Sequence, residues 1–226
     1  RDNKRTALLT PLFIFITKMV HTQRKWNKFM LPLIIVTGPT TSKKSETAIE
    51  LAEKINSEII SADSMQVYKY FDIGTAKVTP EDRSRVPHHL VDILEPDQEF
   101  SAFDFKTRAL DHTRELLNQG KVPIITGGSG LYIKALCEGY DCAVQINPQI
   151  KKQVQSDIRT KGLIKMHEEL QQIDPNSAER VSSLDTQRIE RAISVFRQTG
   201  VPFSEFSQIK SKPIIFDCFL NLVNLF

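Results

Sequence analysis

The chain has 226 residues, 40% hydrophobic and 25% charged, with a formal net charge of +3. This is the composition of a soluble globular protein, long enough for one sizeable core plus a small appended module. So small a net charge excludes a global field for polyanions and leaves only local patches, while three cysteines (Cys137, Cys142, Cys218), an odd number without zinc-like spacing, argue against a disulfide framework and for a reducing compartment.

Residues 1–30 are expected to be an unstructured or non-native leader. Leu8–Ile16 is largely apolar but broken by Pro11, too short to span a bilayer, and is followed by Lys18, His21, Arg24, Lys25 and Lys28. Leu33–Thr37 reads as a buried strand that runs into a loop at Gly38, and Lys44-Ser45 open a helix. The order strand–loop–helix is that of a P-loop, G-x-x-x-x-G-K-[ST], here Gly38, Pro39, Thr40, Thr41, Ser42, Lys43, Lys44 and Ser45. Loop amides and a helix N-terminus make a cradle for phosphate oxygens. Lys44 is expected to neutralise the terminal phosphate, and the Ser45 hydroxyl to ligate Mg2+. Lys43 stands where the pattern has its second glycine, and its side chain is expected to crowd the phosphates or strain the turn. The plain alternative is an ordinary strand–turn–helix with a basic helix start.

The next helix carries Ala48, Leu51, Ala52 and Ile55 on one face. Glu58–Ser61 is a second strand, and the loop after it places Asp63, Ser64 and Gln66 beside the phosphate loop, as loops beyond strand carboxyl ends do in open α/β sheets. Thr79-Pro80 starts a helix, and Leu90–Leu94 is expected as a strand with Asp92 inside it. Ser101 and Asp104 open a helix that Gly120 stops. Val122–Thr126 is a central strand delivering Gly127-Gly128-Ser129-Gly130-Leu131-Tyr132 to the same edge. Strand–helix alternation implies an α/β fold, a P-loop NTPase-like three-layer parallel sheet with a small helical insert. The core is assigned to 31–140 plus 201–218, with a returning strand at Ile214–Phe219. The insert is assigned to 141–200, with helix signals at Asn147-Pro148, Gly162, Asp174-Pro175, Asp185 and Gly200, and 219–226 is left as a tail.

Six motifs occur in order: Gly-Pro-Thr-x-Ser-x-Lys-Ser at 38–45, Asp-Ser-Met-Gln-Val-Tyr-Lys at 63–69, Asp-Ile-Gly-Thr-Ala-Lys at 72–77, Pro-His-His-Leu at 87–90, Gly-Gly-Ser-Gly-Leu-Tyr at 127–132 and Asp-x-Gln-Arg-x-x-Arg-Ala at 185–192. Together they resemble the tRNA dimethylallyltransferase (isopentenyltransferase) family over roughly 31–218. The resemblance implies transfer of a dimethylallyl group from dimethylallyl diphosphate to N6 of adenosine 37, in tRNAs reading codons that begin with U. It implies Asp63 as general base, with Lys44, a Ser45-bound Mg2+ and the hydroxyls of Thr40, Thr41 and Ser129 at the leaving diphosphate. Ser129 stands where the family usually has threonine and keeps the hydroxyl.

An adenosine in a stacked loop must be flipped to reach such a pocket. The implied tRNA contacts, at the anticodon stem-loop, are Asp63, Ser64, Met65, Gln66, Ser129, Lys151, Gln187, Arg188, Ile189, Glu190 and Arg191, with Lys152 a further phosphate candidate. The bland alternative for Arg188 and Arg191 is a solvated helix face, and His88 and His89, without a metal-ligand companion, read as structural. A cytoplasmic monomer without membrane association is expected. Two departures from the family pattern are Lys43 and the continuation of family members beyond the end of this chain. The rival readings are a P-loop small-molecule or nucleoside kinase using ATP, and a non-catalytic truncated remnant.

Overall fold

The computed structural model describes residues 30–31, 33–38, 43–138, 144, 146–206, 215–216 and 220–221. In chain order the elements begin with β1 (Met30–Leu31), β2 (Ile34–Thr37), α1 (Lys44–Ile55), β3 (Ile59–Ser61), α2 (Pro80–Arg85) and β4 (His88–His89). They continue with α3 (Ala102–Asn118), β5 (Ile124–Gly127), α4 (Gly130–Glu138), α5 (Pro148–Lys161), α6 (Leu163–Ile173), α7 (Pro175–Arg180), α8 (Thr186–Thr199), α9 (Phe203–Phe206), β6 (Ile215–Phe216) and β7 (Leu220–Asn221). The chain forms two units, 1–139 with 212–226, and 140–211.

In the first unit, β2, β3 and β5 are buried on both faces, the pattern of parallel strands covered by helices on both sides. Leu33, Ile35, Ile60 and Ile125 pack with Phe105, Ala109 and Leu116 of α3 and with Tyr132 and Leu136 of α4. Their neighbours Ile34, Val36, Ile59 and Ile124 turn to the other face and pack with Ala48, Ile49, Leu51 and Ala52 of α1. The period of two along each strand thus builds the three layers. The five-stranded sheet has the order β4-β3-β5-β2-β7, and every pairing in it is parallel. Ser101 and Asp104 form a reciprocal capping box at the start of α3.

Four expectations change. Leu90–Leu94 is not a strand: β4 is His88–His89, and Leu90 (φ 61°) and Asp92 (φ 54°) adopt left-handed backbone that ends the extended run, leaving an isolated bridge between Tyr68 and Leu94. The returning segment is split. β6 pairs with β1 in a separate two-stranded ladder, and β7, within the stretch set aside as a tail, joins the main sheet beside β2. Met30, assigned to the leader, lies in β1, while 1–29 fall outside the described residues. Residues 201–206 belong to the helical unit, because Phe203 packs on its core and Ser204 N–H donates to Asp174.

In the helical unit, Val154, Met166, Leu170, Ile189 and Ile193 make the core. Three of its helices start at side-chain caps: Asn147 for α5, Asp174 for α7 and Asp185 for α8. Asp174 is 2% exposed and accepts from Ser177 N, Ser177 Oγ and Ser204 N at 3.0, 2.6 and 2.8 Å. Burial alone would raise its carboxyl. Those hydrogen bonds outweigh burial and hold it below the ordinary carboxylate value.

Candidate active site

The chain leaves β2, crosses through α1 and returns as β3, skipping the position that β5 later fills. Ligands of open α/β sheets bind beyond the strand carboxyl ends where the strand order switches in this way. Register aligns the three ends: Thr37 lies beside Gly127, and Ser61 beside Thr126. The loops after β2, β5 and β3 therefore leave the sheet along one edge, bringing together Gly38, the start of α1, Gly128-Ser129 and Ala62–Gln66.

At the first of these loops, α1 begins at Lys44, and no side chain caps it. Lys43 takes φ 54°, ψ 24°, the left-handed conformation that glycine adopts freely, and its carbonyl accepts from Thr47 N and Thr47 Oγ1. The Lys43 ammonium lies 3.6 Å from Glu46, both side chains exposed. Lys44 is half-buried and Ser45 exposed, while Pro39, Thr40, Thr41 and Ser42 lie outside the described residues.

The other two loops are locked to each other. A Cβ on Gly127 would sit 2.1 Å from the Ala62 carbonyl oxygen, so only glycine lets β5 pass the end of β3 this closely. Ser129 N donates to Ala62 O at 3.1 Å, and Ser64 N donates to Ser129 Oγ at 2.8 Å. The Ser129 hydroxyl keeps its own proton to donate. Asp63 Oδ1 accepts from Met65 N at 2.9 Å and Gln66 N at 3.3 Å. Asp63 Oδ2 lies 4.0 Å from the point where a Gly128 Cβ would stand. The carboxylate is thus oriented through one oxygen, and the other faces a position without a side chain. Gln66 Nε2 donates to Ala76 O at 2.9 Å and to Thr75 O at 3.4 Å, which commits its amide hydrogens to the loop. Met65 is 45% exposed.

Tyr132, in the same glycine-rich motif, stacks on Phe105 at 4.7 Å and donates to Phe100 O at 3.3 Å. Burial, reinforced by Tyr68, Asp63 and Asp104 nearby, pushes its phenol up to about 12, so it stays protonated and is no base. His88 bonds Val86 O and His89 bonds Glu58, both at 2.7 Å, which is structural use. Among the described residues no group of three or more His, Cys, Asp or Glu could hold a metal ion, and no helix is long and apolar enough to cross a membrane.

The second unit carries the remaining candidates. Gln187 and Arg188 are exposed on α8, with Arg188 Nε 3.4 Å from Asp185. Ile189 is 0% exposed in the core, so its side chain is withdrawn from any RNA: the 3.6-residue turn puts it on the buried face. Glu190 accepts from Gln155 Nε2 at 3.2 Å. Arg191 and Lys151 are half-buried, and Lys152 is exposed.

The IPP transferase family matches residues 66–224. The chain belongs to that family. Its tRNA dimethylallyltransferase relatives include that of Carboxydothermus hydrogenoformans, 47% identical over 175 residues, which cover 77% of this chain and 56% of the relative. That of Lachnoclostridium phytofermentans is 46% identical over 180 residues, covering 79% and 58%. A solved eukaryotic dimethylallyltransferase acting on tRNA superposes with a TM-score of 0.69 at 26% identity, over 86% of this chain and 48% of that one. The chain therefore spans about half the length of the relatives it matches. The family range runs to 224, through residues that motif order left outside.

One group in this IPP transferase chain escaped the reading of motifs. Lys77, its side chain 3% exposed, donates to Tyr68 O, Asp72 and Asp92 at 2.9, 2.7 and 2.7 Å, and Arg83 donates to the second Asp92 oxygen at 2.6 Å. Burial would raise the Asp92 carboxyl, but Lys77 and Arg83 outweigh it and hold it low. The signal was there: an acid inside an apolar run at 90–94, and a lysine closing the motif at 72–77.

Proposed function

We propose that the chain is the substrate-binding part of a tRNA dimethylallyltransferase, which moves a dimethylallyl group from dimethylallyl diphosphate to N6 of adenosine 37 in tRNAs reading codons that begin with U. The observation that carries this reading is the convergence of Asp63, Ser129 and the start of α1 on one edge, through β3, β5 and β2. N6 of adenine is a weak nucleophile. A carboxylate with one oxygen anchored and the other open, as in Asp63, suits removal of its proton while the new C–N bond forms and the C–O bond to diphosphate breaks. Lys44, the Ser129 hydroxyl and the amides at the start of α1 stabilise the leaving diphosphate.

Among the described residues, Ser45 offers a hydroxyl oxygen at the helix start. That fits Mg2+, which keeps most of its waters and takes its other ligands from substrate phosphates. Bound there, Mg2+ would supply charge neutralisation to the diphosphate. Exposed Gln187, Arg188 and Lys152 are the proposed contacts to the anticodon stem-loop, with Lys151 and Arg191 beside them. The protein acts as a monomer in the cytoplasm.

The test is incubation with labelled dimethylallyl diphosphate and unmodified tRNA. Label should enter the tRNA, and Asp63→Ala should reduce single-turnover transfer by about 10²–10⁴-fold while diphosphate affinity holds. Phosphate transfer from ATP to a small hydroxyl acceptor, without an RNA requirement, would replace this reading with a kinase.

A further inference from the structure

We propose that Lys77 is a positioning residue, holding the turn that carries Asp63 in its working geometry through Asp92 and Gln66. The inference rests on the reading of Asp63 as the base. Residues 62–69 belong to no helix or strand, so their shape depends on side-chain and loop hydrogen bonds. Asp63 Oδ1 is oriented by the amides of Met65 and Gln66. Gln66 is in turn fixed at two points: its carbonyl accepts from Asp92 N at 3.0 Å, and its side-chain amide donates to Ala76 O. Residues 67–69 run beside 93–94, with Ile93 N and Leu94 N donating to Val67 O and Lys69 N donating to Leu94 O.

Lys77 closes this arrangement. Its ammonium joins Tyr68 O on the turn, Asp72 on the following loop and Asp92 on the facing segment. It therefore acts on both attachments of Gln66: it follows Ala76 directly, and it holds the carboxylate of the residue whose amide bonds Gln66. Strain marks the same place. Tyr70 (φ 65°), Ala76 (φ 48°), Leu90 (φ 61°) and Asp92 (φ 54°) are left-handed without being glycine, and such backbone persists only where the surroundings over-determine it. Charges balance, with Lys77 and Arg83 against Asp72 and Asp92. A methionine at 77 keeps the apolar stem, removes the charge and leaves Asp92 with Arg83 alone.

The experiment compares the parent chain with Lys77→Met and Lys77→Arg by residue-resolved amide hydrogen exchange. In Lys77→Met the Met65 and Gln66 amides should exchange about tenfold to a hundredfold faster, the equivalent of one charge-assisted hydrogen bond. Amides of β5 and α8 should keep the parent rates, and Lys77→Arg should recover part of the protection at 65 and 66. Unchanged exchange at those two positions, or a uniform rise across the chain, overturns the inference. If Lys77→Met does not fold, Asp92→Asn weakens the same link and is read in the same way.

Single-turnover transfer supplies the second readout: Lys77→Met should lose rate while dimethylallyl diphosphate affinity stays at the parent value, and a parallel loss of affinity overturns the positioning role. A parent chain that transfers no label refutes the proposed function, and the exchange data then decide the geometry by themselves.

Discussion

Lys43 holds a backbone conformation at φ 54° that costs a non-glycine residue about 1–2 kcal/mol. Its ion pair with Glu46, exposed on both sides at 3.6 Å, returns about 0.5 kcal/mol or less. The strain therefore dominates, and it lowers the population of loops in which α1 starts with its amides toward the proposed diphosphate. Lys43→Gly should raise that population and tighten dimethylallyl diphosphate binding by roughly fivefold, since apparent affinity scales with the competent fraction. Titration calorimetry on the two proteins checks this, and equal affinities would show that position 43 does not limit the loop. Gly127 shows the converse at the same edge, where a side chain has no room at all.

Among the elements, α7 and α9 share one buried carboxylate. Asp174 has a folded value below its ordinary 3.8, so its contribution to stability is complete above 3.8 and is lost as the pH falls through the lowered folded value. Asp174→Asn should cost about 1–3 kcal/mol at neutral pH, the cost of weakening a buried charged cap, and should flatten the acid limb of the unfolding curve. Thermal melts from neutral pH to below 3.8 measure both, and an unchanged acid limb would assign that limb to other groups, such as Glu58 with Lys121 and His89. Helix α8 carries a second expectation. Arg188 is 70% exposed, and if it meets a tRNA phosphate, Arg188→Ala should lower the slope of log affinity against log salt by about one. Filter binding at several salt concentrations decides it; a parent-like slope leaves the residue a solvated neighbour of Asp185.

At the scale of the whole chain, β5 organises the first unit. It lies between β3 and β2, and Ile125 is fully buried against the α3 and α4 layer. Ile125→Ala should cost about 2–5 kcal/mol, a large share of the stability of a domain this size, read as a lower denaturant midpoint. A loss under 1 kcal/mol would mean that the layer collapses to fill the space. Much of this architecture was legible beforehand, because hydrophobic period, caps and breakers act within a few residues. Leu33–Thr37, Val122–Thr126, the capping box at Ser101 and the caps at Asn147 and Asp185 are all local signals, and ordered motifs carried the family. Other features were not local. Leu90–Leu94 looked like a strand because its composition is apolar, whereas Asp92 takes left-handed backbone and its carboxylate meets Lys77, fifteen positions away in sequence. Ile189 entered the RNA list as part of a motif, although its helix turns it into the core. By itself, then, the sequence determined the long helices and the central strands, most of their caps and the family, since short-range sterics and hydrophobic pattern decide these. Only the tertiary structure decided that Gly127 presses against Ala62, that Ser129 meets Ser64 and that Lys77 meets Tyr68 and Asp92, because those meetings depend on parallel register and strand order, which long-range packing sets.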